Sequence, residues 1–362
     1  MERNKLLNIL ATVEPALAAT DLLPILTHFW FTGEEVMAYN DVIALSIPFE
    51  TEFTAAIKGS VLKALLTKAT HKEVEMDISK DQVNVKCGRV KMTMPILSSE
   101  SFLFEFPEVS EDDVLPVDPE QFAQGLDVCL QSLGAHISEP ERKGILIEAA
   151  GKKSLNLYST DSVTMSHAIV NTKTAHGVKE HFTISESFCD MAVKLMKKKG
   201  GKDFTLYAAE DYVLLRMKDK TRLYGRILDD NTPPKFAKVL ADYTPSDPDN
   251  MLMDIPKDFS QLLDRAFIVI SKALDPVTTL GVGPSKRGKD GSVLRLRSKS
   301  ENGEVKDSIP LGASHPEVSV GIDLSRFREC DFGKFDKFMI DERCILLRKG
   351  KKCTHLVSVL DR

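Results

Sequence analysis

The chain has 362 residues, of which 43% are hydrophobic and 28% are charged, close to the composition of ordinary globular proteins. This composition excludes a disordered, collagen-like or small disulfide-stabilised chain. At about 100–200 residues per domain, the length predicts two to four domains. No apolar run approaches the roughly 18–20 residues that cross a bilayer, and the N-terminus lacks a signal-peptide cleavage pattern. We therefore expect a soluble, cytoplasmic protein that does not bind membranes.

Charge and cysteine content exclude further classes. The net charge is −5, from 48 basic and 53 acidic residues, which argues against an indiscriminate nucleic-acid binder. The six cysteines form no Cys-x-x-Cys pair, and the eight histidines form no His-Glu-x-x-His motif. We therefore predict reduced, buried cysteines, and we predict neither a metal nor a cofactor.

The first predicted domain comprises residues 1–113. Residues 58–72 are predicted to form a helix with four lysines, including Lys63 and Lys68, and no acidic residue. These lysines do not form a clean stripe, and a solvated helix face is the ordinary explanation for them. An acidic, proline-containing connector at 107–113 ends the domain.

The second predicted domain comprises residues 114–250. It begins with a helix in which Pro119 takes an early position, where its missing N–H costs nothing. A strand with alternating apolar and polar residues is predicted at 155–159. A second helix is predicted at 186–199, with one apolar stripe and an opposite face that is mostly basic. The polar face contains Asp190, Lys194, Lys197 and Lys198.

The third predicted domain comprises residues 251–362. Its first helix is predicted at 256–272, with an apolar stripe and an opposite face that includes Arg265 and Lys272. The turn signal Glu301-Asn302-Gly303 separates two strand-like segments further on.

The second and third domains repeat the same pattern. Pro119 matches Pro256 and Phe122 matches Phe259, and both pairs are 137 residues apart. The first third follows the scheme less tightly. Each third has the order helix, strands, helix, strands, which predicts an α+β fold with antiparallel sheets rather than a βαβ series. Self-similarity of this kind indicates three domains of similar build.

Several of these helices are biased towards lysine and arginine in a chain that is acidic overall. The acidic residues must then concentrate elsewhere, which predicts one basic surface and one acidic surface. A basic surface attracts nucleic acid through phosphate contacts that do not depend on sequence.

The order of these repeats resembles the bacterial-type DNA sliding clamp, the β subunit or processivity factor of DNA polymerase III. Landmarks of the resemblance are Leu23-Pro24-Ile25-Leu26, Phe104-Glu105-Phe106-Pro107-Glu108, Ser159-Thr160-Asp161 and Pro234-Lys235-Phe236-Ala237-Lys238-Val239. The resemblance covers essentially the whole chain. It implies three clamp domains, each with two helices packed on antiparallel sheets, and a head-to-tail homodimer that closes into a ring.

The resemblance also implies a function without catalysis. A clamp encircles double-stranded DNA regardless of sequence and tethers the replicative DNA polymerase, and a clamp loader is a further expected partner. The helices would line the DNA channel. The residues expected to face DNA are Lys63, Lys68, Lys194, Lys197, Lys198, Arg265 and Lys272.

Family clamps hold partner peptides in an apolar pocket between the second and third domains. Carried over by position, the pocket would comprise Thr160, Ser162, Val163, Met165, Pro234, Lys238, Val239, Val357, Ser358, Val359 and Leu360. Core or edge packing is the alternative explanation for each of these residues.

This chain departs from the family pattern at the pocket. Thr160-Asp161-Ser162-Val163-Thr164-Met165 stands where the family usually has T-D-G-H-R-L. Ser358-Val359-Leu360-Asp361-Arg362 stands in place of an M-P-M-R-L ending. Thr20 replaces an arginine that the family often has before the first landmark, so a DNA contact there is not expected. We expect a different preferred peptide, and such divergence suits a phage-encoded or otherwise remote clamp.

Two other functions are compatible with the sequence. A nucleotide-dependent enzyme would use the loop 283–290, but Asp290 stands where a phosphate-binding loop needs Ser or Thr, and the loop precedes a strand instead of a helix. An open, monomeric β-rich module that binds proteins would not encircle DNA. A Gly-x-Ser-x-Gly elbow is absent as well. We find no set of residues in the sequence that would form a catalytic site.

Overall fold

The structure is a computed structural model. It describes residues 1–20, 23–98, 102, 104–133, 143–178, 181–198, 203–228, 235–245, 249, 251–274, 276–285 and 291–360. Within these residues the chain is a mixture of helices and antiparallel strands, and the predicted α+β fold class is confirmed.

The described residues contain seven α-helices. They are α1 (Arg3–Val13), α2 (Gly59–Lys68), α3 (Pro119–Cys129), α4 (Glu186–Lys198), α5 (Phe236–Tyr243), α6 (Phe259–Ile270) and α7 (Leu324–Arg328). The predicted start of α3 is confirmed, because Pro119 is its first residue and the Asp118 side chain accepts a hydrogen bond from the Gln121 N–H (2.9 Å). Asp118 therefore acts as an N-cap.

Two predicted helices are shorter in the structure. Helix α6 begins at Phe259 instead of residue 256, because the Phe259 N–H donates to the Pro256 carbonyl (3.0 Å) in a turn that precedes the helix. Helix α2 ends at Lys68, where the next residue, Ala69, is extended (φ −70°, ψ 143°). The predicted apolar stripes of α4 and α6 are buried as expected.

Twenty-three strands lie in the described part of the chain. They are β1 (His28–Phe31), β2 (Glu35–Tyr39), β3 (Ile43–Pro48), β4 (Ala55–Lys58), β5 (Glu75–Ser79), β6 (Gln82–Cys87), β7 (Val90–Leu97), β8 (Val114–Leu115), β9 (Gly144–Ala149), β10 (Ser154–Thr160), β11 (Thr164–Asn171), β12 (His181–Ser185), β13 (Phe204–Ala208), β14 (Tyr212–Met217), β15 (Arg222–Leu228), β16 (Met253–Asp254), β17 (Val277–Pro284), β18 (Ser292–Ser300), β19 (Gly303–Pro310), β20 (Val318–Gly321), β21 (Lys337–Ile340), β22 (Cys344–Lys349) and β23 (Cys353–Ser358).

The chain forms two compact units. Unit 1 contains residues 1–123, 151–153 and 171–229, and unit 2 contains residues 124–150, 154–170 and 230–362. Both units therefore include parts of the predicted second domain. The division into three domains, with boundaries near 113 and 250, stays a prediction.

Unit 1 is organised by one run of antiparallel strands. Main-chain pairing follows the order β8, β13, β14, β15, β3, β2, β1, β4 and β7. β7 also pairs with β6, and β6 with β5. The β15–β3 pairing, from Arg222↔Ser46 to Gly225↔Ile43, joins segments almost 180 residues apart. A strand of the predicted second domain thus continues a sheet of the predicted first.

Unit 2 has a corresponding long-range pairing. β11 pairs with β23 from Thr164↔Val357 to Ala168↔Cys353, and β22, β21 and β16 follow in order. A separate four-stranded sheet has the order β19, β18, β17, β20. The predicted turn at 301–303 is confirmed as the end of the β18–β19 hairpin, where Ser300 pairs with Gly303.

The phosphate-loop interpretation does not fit this topology. The segment that would contain it connects β17 to β18, two antiparallel neighbours, and residues 286–290 lie outside the described residues. Gly281 is a strand residue, and a Cβ there would meet the Val318 carbonyl at 2.6 Å. This glycine permits close strand packing, and the loop does not lead into a helix as nucleotide binding would require.

The cysteines behave as predicted, because all six are buried and none forms a disulfide. Burial raises the pKa of the Cys330 and Cys344 thiols to about 12. Among the described residues, no cluster of three or more His, Cys, Asp or Glu side chains is arranged to hold a metal ion. The described helices also include none with the length and apolar character of a membrane span.

Helix α4 packs on β15 through a contact that only glycine permits. A Cβ on Gly225 would lie 2.5 Å from Cδ2 of the fully buried Phe188. We expect Gly225→Ala to lower the free energy of unfolding by about 1–3 kcal/mol, the usual range for overpacking a core. Urea denaturation measures this change. Gly177→Ala is the control, because a Cβ there meets no atom within 4 Å. Equal stability of the two variants would contradict the packing argument.

Candidate functional site

The predicted DNA-facing lysines of α2 lie in unit 1 in two different environments. Lys63 is half-buried and forms an ion pair with Glu14. Lys68 is exposed in the last turn of α2, where a positive charge interacts favourably with the helix dipole. The structure therefore leaves Lys68 more available for a phosphate than Lys63.

The predicted lysines of α4 are all exposed. Lys194 forms an i,i+4 pair with Asp190 (Nζ–Oδ2 2.6 Å). Lys197 and Lys198 occupy the last turn of the helix. Lys198 donates a hydrogen bond to the Thr12 hydroxyl on α1 (3.1 Å), so the ends of α1 and α4 are neighbours within unit 1.

The two predicted cations of α6 belong to unit 2. Arg265 pairs with Asp307 on β19 (Nε–Oδ2 2.5 Å), and Lys272 is exposed just after the helix with a φ of +64°. Exposed ion pairs of this kind contribute only about 0–1 kcal/mol. A phosphate can therefore replace the aspartate at little cost.

The predicted pocket residues begin at a tight turn between β10 and β11. The Asp161 Oδ1 accepts hydrogen bonds from the N–H groups of Val163 (3.0 Å) and Thr164 (2.6 Å). The Thr160 hydroxyl donates to the Thr164 carbonyl (2.7 Å), and Ser162 has a φ of +73°. Within this aspartate turn Ser162 is exposed and Val163 is partly buried.

The structure brings this turn beside the C-terminal segment. Thr164 pairs with Val357 in the β11–β23 ladder, and the Ser358 N–H donates to the Val163 carbonyl (3.0 Å). The Leu360 N–H donates to the Gly321 carbonyl (2.9 Å), which directs the chain end along β20. The predicted residues 160–165 and 357–360 thus lie together in unit 2.

Helix α5 covers the apolar side of the same region. Phe236 stacks on Tyr158 with ring centroids 5.3 Å apart, and both belong to a cluster with Met165, against which Leu240 packs. Met165 is buried within this cluster. Lys238 and Val239 are exposed on α5, and Pro234 lies outside the described residues.

A row of polar contacts lies on the other side of the β11–β23 ladder, and we call it the polar seam. It consists of Asp161–Arg326 (Oδ2–Nη1 3.3 Å), Ser166–His355–Cys330, and Asp127–Lys334 (Oδ1–Nζ 3.0 Å). All of its members are in unit 2. The seam joins residues of the predicted second domain, 127–166, to residues of the predicted third, 326–355.

His355 is the buried centre of the polar seam. Its Nδ1 lies 2.8 Å from the Ser166 hydroxyl, and its Nε2 lies 3.3 Å from the Cys330 Sγ. Nδ1 also lies 3.2 Å from the Ser132 hydroxyl, and the Ser166 hydroxyl donates to the Val128 carbonyl (3.0 Å). Both ring nitrogens of His355 therefore have polar partners within the seam.

Titration of His355 is opposed by its surroundings. Complete burial lowers its pKa to about 4, with a smaller lowering from Lys334 and an opposing contribution from Asp161. Burial alone lowers the pKa of His167, on the opposite face of β11, to about 4 as well. Both imidazoles are therefore neutral at physiological pH.

Sequence reasoning missed the polar seam. Asp161 is part of a sequence landmark, and it stands one residue before Ser162, whose positive φ is typical of such a turn. Arg326 and His355 had no local signal, because their partners are 165 and 189 residues away. The ion pair of Lys63 with Glu14, 49 residues away, was equally invisible.

Comparisons with known proteins identify the fold. No family model and no curated protein matches the chain by sequence. The DNA polymerase sliding clamp from Bacillus subtilis matches its structure with a TM-score of 0.80 at 15% identity, over 100% of this chain and 98% of that one. The β subunit of DNA polymerase from Streptococcus pyogenes gives 0.79 at 14%, over 100% and 99%. A Pseudomonas aeruginosa sliding clamp bound to griselimycin gives 0.78 at 11%, over 100% and 98%.

The chain therefore has the fold of a DNA sliding clamp. In particular, it has the fold of the bacterial clamp, the β subunit of DNA polymerase III, which confirms the fold that the sequence resemblance implied. At sequence identities of 11–15%, the similarity shows a shared fold. The individual DNA-facing and pocket residues stay predictions.

The neutral state of His355 predicts an acid-sensitive core. Its pKa rises from about 4 in the folded state to about 6.5 on unfolding. The unfolded chain thus binds the extra proton, and stability is complete above pH 6.5 and falls towards pH 4, by up to about 3 kcal/mol from this residue. Urea denaturation of the wild type and of His355→Gln between pH 7.5 and 4.5 measures it.

His355→Gln removes this share of the pH dependence, and His167→Gln removes only the share of His167. Identical pH profiles for the wild type and His355→Gln would contradict the assignment.

Proposed function

We propose that this protein is a DNA sliding clamp that encircles double-stranded DNA and tethers the replicative DNA polymerase. The main support is the likeness in fold to bacterial sliding clamps over 100% of the chain. A tether raises the effective concentration of the polymerase at the primer end, so that it rebinds before diffusing away. This function makes and breaks no covalent bond and needs no catalytic residue. The clamp would act in the cytoplasm, with a clamp loader as a second partner.

DNA binding is proposed to use the exposed cations of α2, α4 and the segment after α6. Lysine contacts with phosphates release counterions and do not read the base sequence, which permits sliding. The net charge of −5 supports this interpretation, because an acidic protein attracts DNA only where cations are concentrated. Lys68, Lys197, Lys198 and Lys272 are exposed, and Lys63, Lys194 and Arg265 form ion pairs with acidic side chains that a phosphate would have to replace.

The double variant Lys197→Ala/Lys198→Ala is expected to weaken binding to a short duplex and to reduce the slope of log K against log salt by about 2, at roughly 0.9 for each lost phosphate contact. Fluorescence anisotropy at several salt concentrations measures both. Lys218→Ala/Lys220→Ala is the matched control, because it removes the same charge from a turn after β14. Equal losses of DNA affinity in the two variants would show that the effect reflects net charge and not contacts of Lys197 and Lys198 with DNA.

We propose that ring closure joins two copies head to tail. β5 pairs only with β6, and β19 only with β18, within the described residues, so each strand has an open edge. Near β19, three apolar side chains are exposed: Ile268 (72%), Leu274 (94%) and Val277 (58%). Open strand edges and exposed apolar groups favour association with another chain. The family resemblance implies an interface between edge strands near 74–106 and 270–300. β5 lies in the first range, and β19 begins just after the second.

Negative-stain imaging at micromolar concentration tests the ring. We expect a two-fold particle with a central hole and a pseudo-six-fold outline. Leu274→Asp is expected to shift the protein towards monomer, because a charge replaces the most exposed apolar group at the proposed interface. Sedimentation measures the shift. Leu23→Asp is the control, since Leu23 is also an exposed leucine (53%) and belongs to neither strand. Compact particles without a hole would favour the open monomeric module instead.

The partner pocket is proposed to lie among the turn 160–164, α5 and the segment 357–360. Its floor is apolar, with Met165 and Val357 buried, and its rim includes the exposed Val239 and Leu360. Apolar grooves with a few polar groups at the rim are typical sites for short peptides. Griselimycin is bound to the Pseudomonas aeruginosa clamp, and we propose it as a probe for this pocket. Polymerase and clamp loader would compete for it.

A further inference from the structure

The segment from α7 to Lys334 contributes evenly spaced residues to the polar seam. Arg326, Cys330 and Lys334 are four residues apart, and each contacts a partner in the segment 127–166 or on β23. The Asp331 N–H adds a hydrogen bond to the Gln131 side chain (2.9 Å). The short segment 326–334 therefore makes all of these contacts.

The first of these contacts reaches the turn that forms the proposed pocket wall. The Asp161 side chain is only 7% exposed, and its two oxygens have different tasks. Oδ1 accepts from the N–H groups of Val163 and Thr164 and from the Thr164 hydroxyl, and so shapes the turn. Oδ2 accepts from Arg326 Nη1 at 3.3 Å, and so joins the turn to α7.

Helix α7 is held in place by its N-cap and by buried side chains, and this fixes the backbone of Arg326. The Asp323 side chain caps it by accepting from the Arg326 N–H (3.1 Å), and Leu324 and Phe327 are buried beneath it. The Cys330–His355 and Lys334–Asp127 contacts fix the chain that follows. Arg326 is therefore held at its backbone while its guanidinium group holds Asp161.

We propose that Arg326 is a positioning residue: through Asp161 it keeps the turn Thr160–Thr164 in place as a preformed wall of the partner-peptide pocket. This inference rests on the proposed function, because it assigns a role within the proposed pocket. A wall that is ordered before binding spares the ligand the entropic cost of ordering it. Without Arg326, Asp161 is a buried carboxylate with no cation, and the turn would move outward to hydrate it.

Hydrogen exchange at single residues tests the proposal without any ligand. In Arg326→Met, we expect the amides of Val163 and Thr164 to exchange at least tenfold faster, while the amide of Leu346, in the middle of β22, keeps its rate. Asp161→Asn is expected to act in the same direction, because it keeps an oxygen for the turn but loses the charge that Arg326 requires. Arg326→Lys should restore part of the protection. If Arg326→Met does not fold, these two variants still decide the question.

Arg328→Met is the matched control. Arg328 is on the same helix and pairs with Asp264 (2.5 Å), but this pair is exposed and does not touch the turn. We expect less than a twofold change in exchange at Val163 and Thr164 in this variant. Equal exchange in Arg326→Met and the wild type, or equal acceleration in both arginine variants, would overturn the proposal.

Calorimetric titration with griselimycin measures the consequence for binding. We expect the Kd of Arg326→Met to be at least fivefold weaker than that of the wild type, and that of Arg328→Met to be unchanged. Failure of the wild type to bind would show that this ligand of another clamp does not fit the proposed pocket, and the exchange experiment alone would then decide whether Arg326 positions the turn. Unchanged affinity in Arg326→Met, with tight wild-type binding, would overturn the role in the pocket.

Discussion

Main-chain pairing between distant segments is the constraint on which each unit depends. In unit 2, β11 and β23 form a ladder of five residue pairs from parts of the chain about 190 residues apart. Because side chains alternate across a strand, this ladder fixes the residues on both faces at once. Met165 and Leu356 enter the apolar cluster under α5, and Ser166 and His355 enter the polar seam. A slip by one residue would exchange the two sets and bury the wrong groups.

The ladder also explains why polar groups are tolerated in this core. Ser132, Ser166, Cys330 and His355 are buried, but each has a hydrogen-bond partner, so that the desolvation of one group is offset by its neighbours. The same low polarity keeps the Cys330 thiol protonated and His355 neutral. Although a Cys–His contact is typical of some catalytic sites, a buried thiol with a raised pKa is a poor nucleophile. The contact is therefore structural.

Electrostatics at the surface follow a different rule. Lys63, Lys194 and Arg265 have acidic partners in the structure, so the predicted cations are not one uniform strip of unpaired charge. Exposed pairs exchange partners easily, whereas the Asp161–Arg326 pair is shielded and orders the chain around it. The cations proposed to bind DNA and the arginine that positions the turn have the same charge. They differ in the burial of the acidic group that each one contacts.

The sequence by itself determined the fold class, the apolar faces of α4 and α6, the start of α3 at Pro119, the hairpin turn at Gly303 and the burial of the cysteines. Each of these depends on periodicity or on the conformational preference of a few neighbouring residues, which the sequence displays directly. Only the tertiary structure decided that Lys63 meets Glu14, that Asp161 meets Arg326 and that His355 is enclosed by Ser166 and Cys330. Those partners are 25 to 189 residues apart, and no local pattern selects between one lysine or histidine and another. The long-range packing of each unit brings them together, and burial then strengthens the contacts of Asp161 and His355.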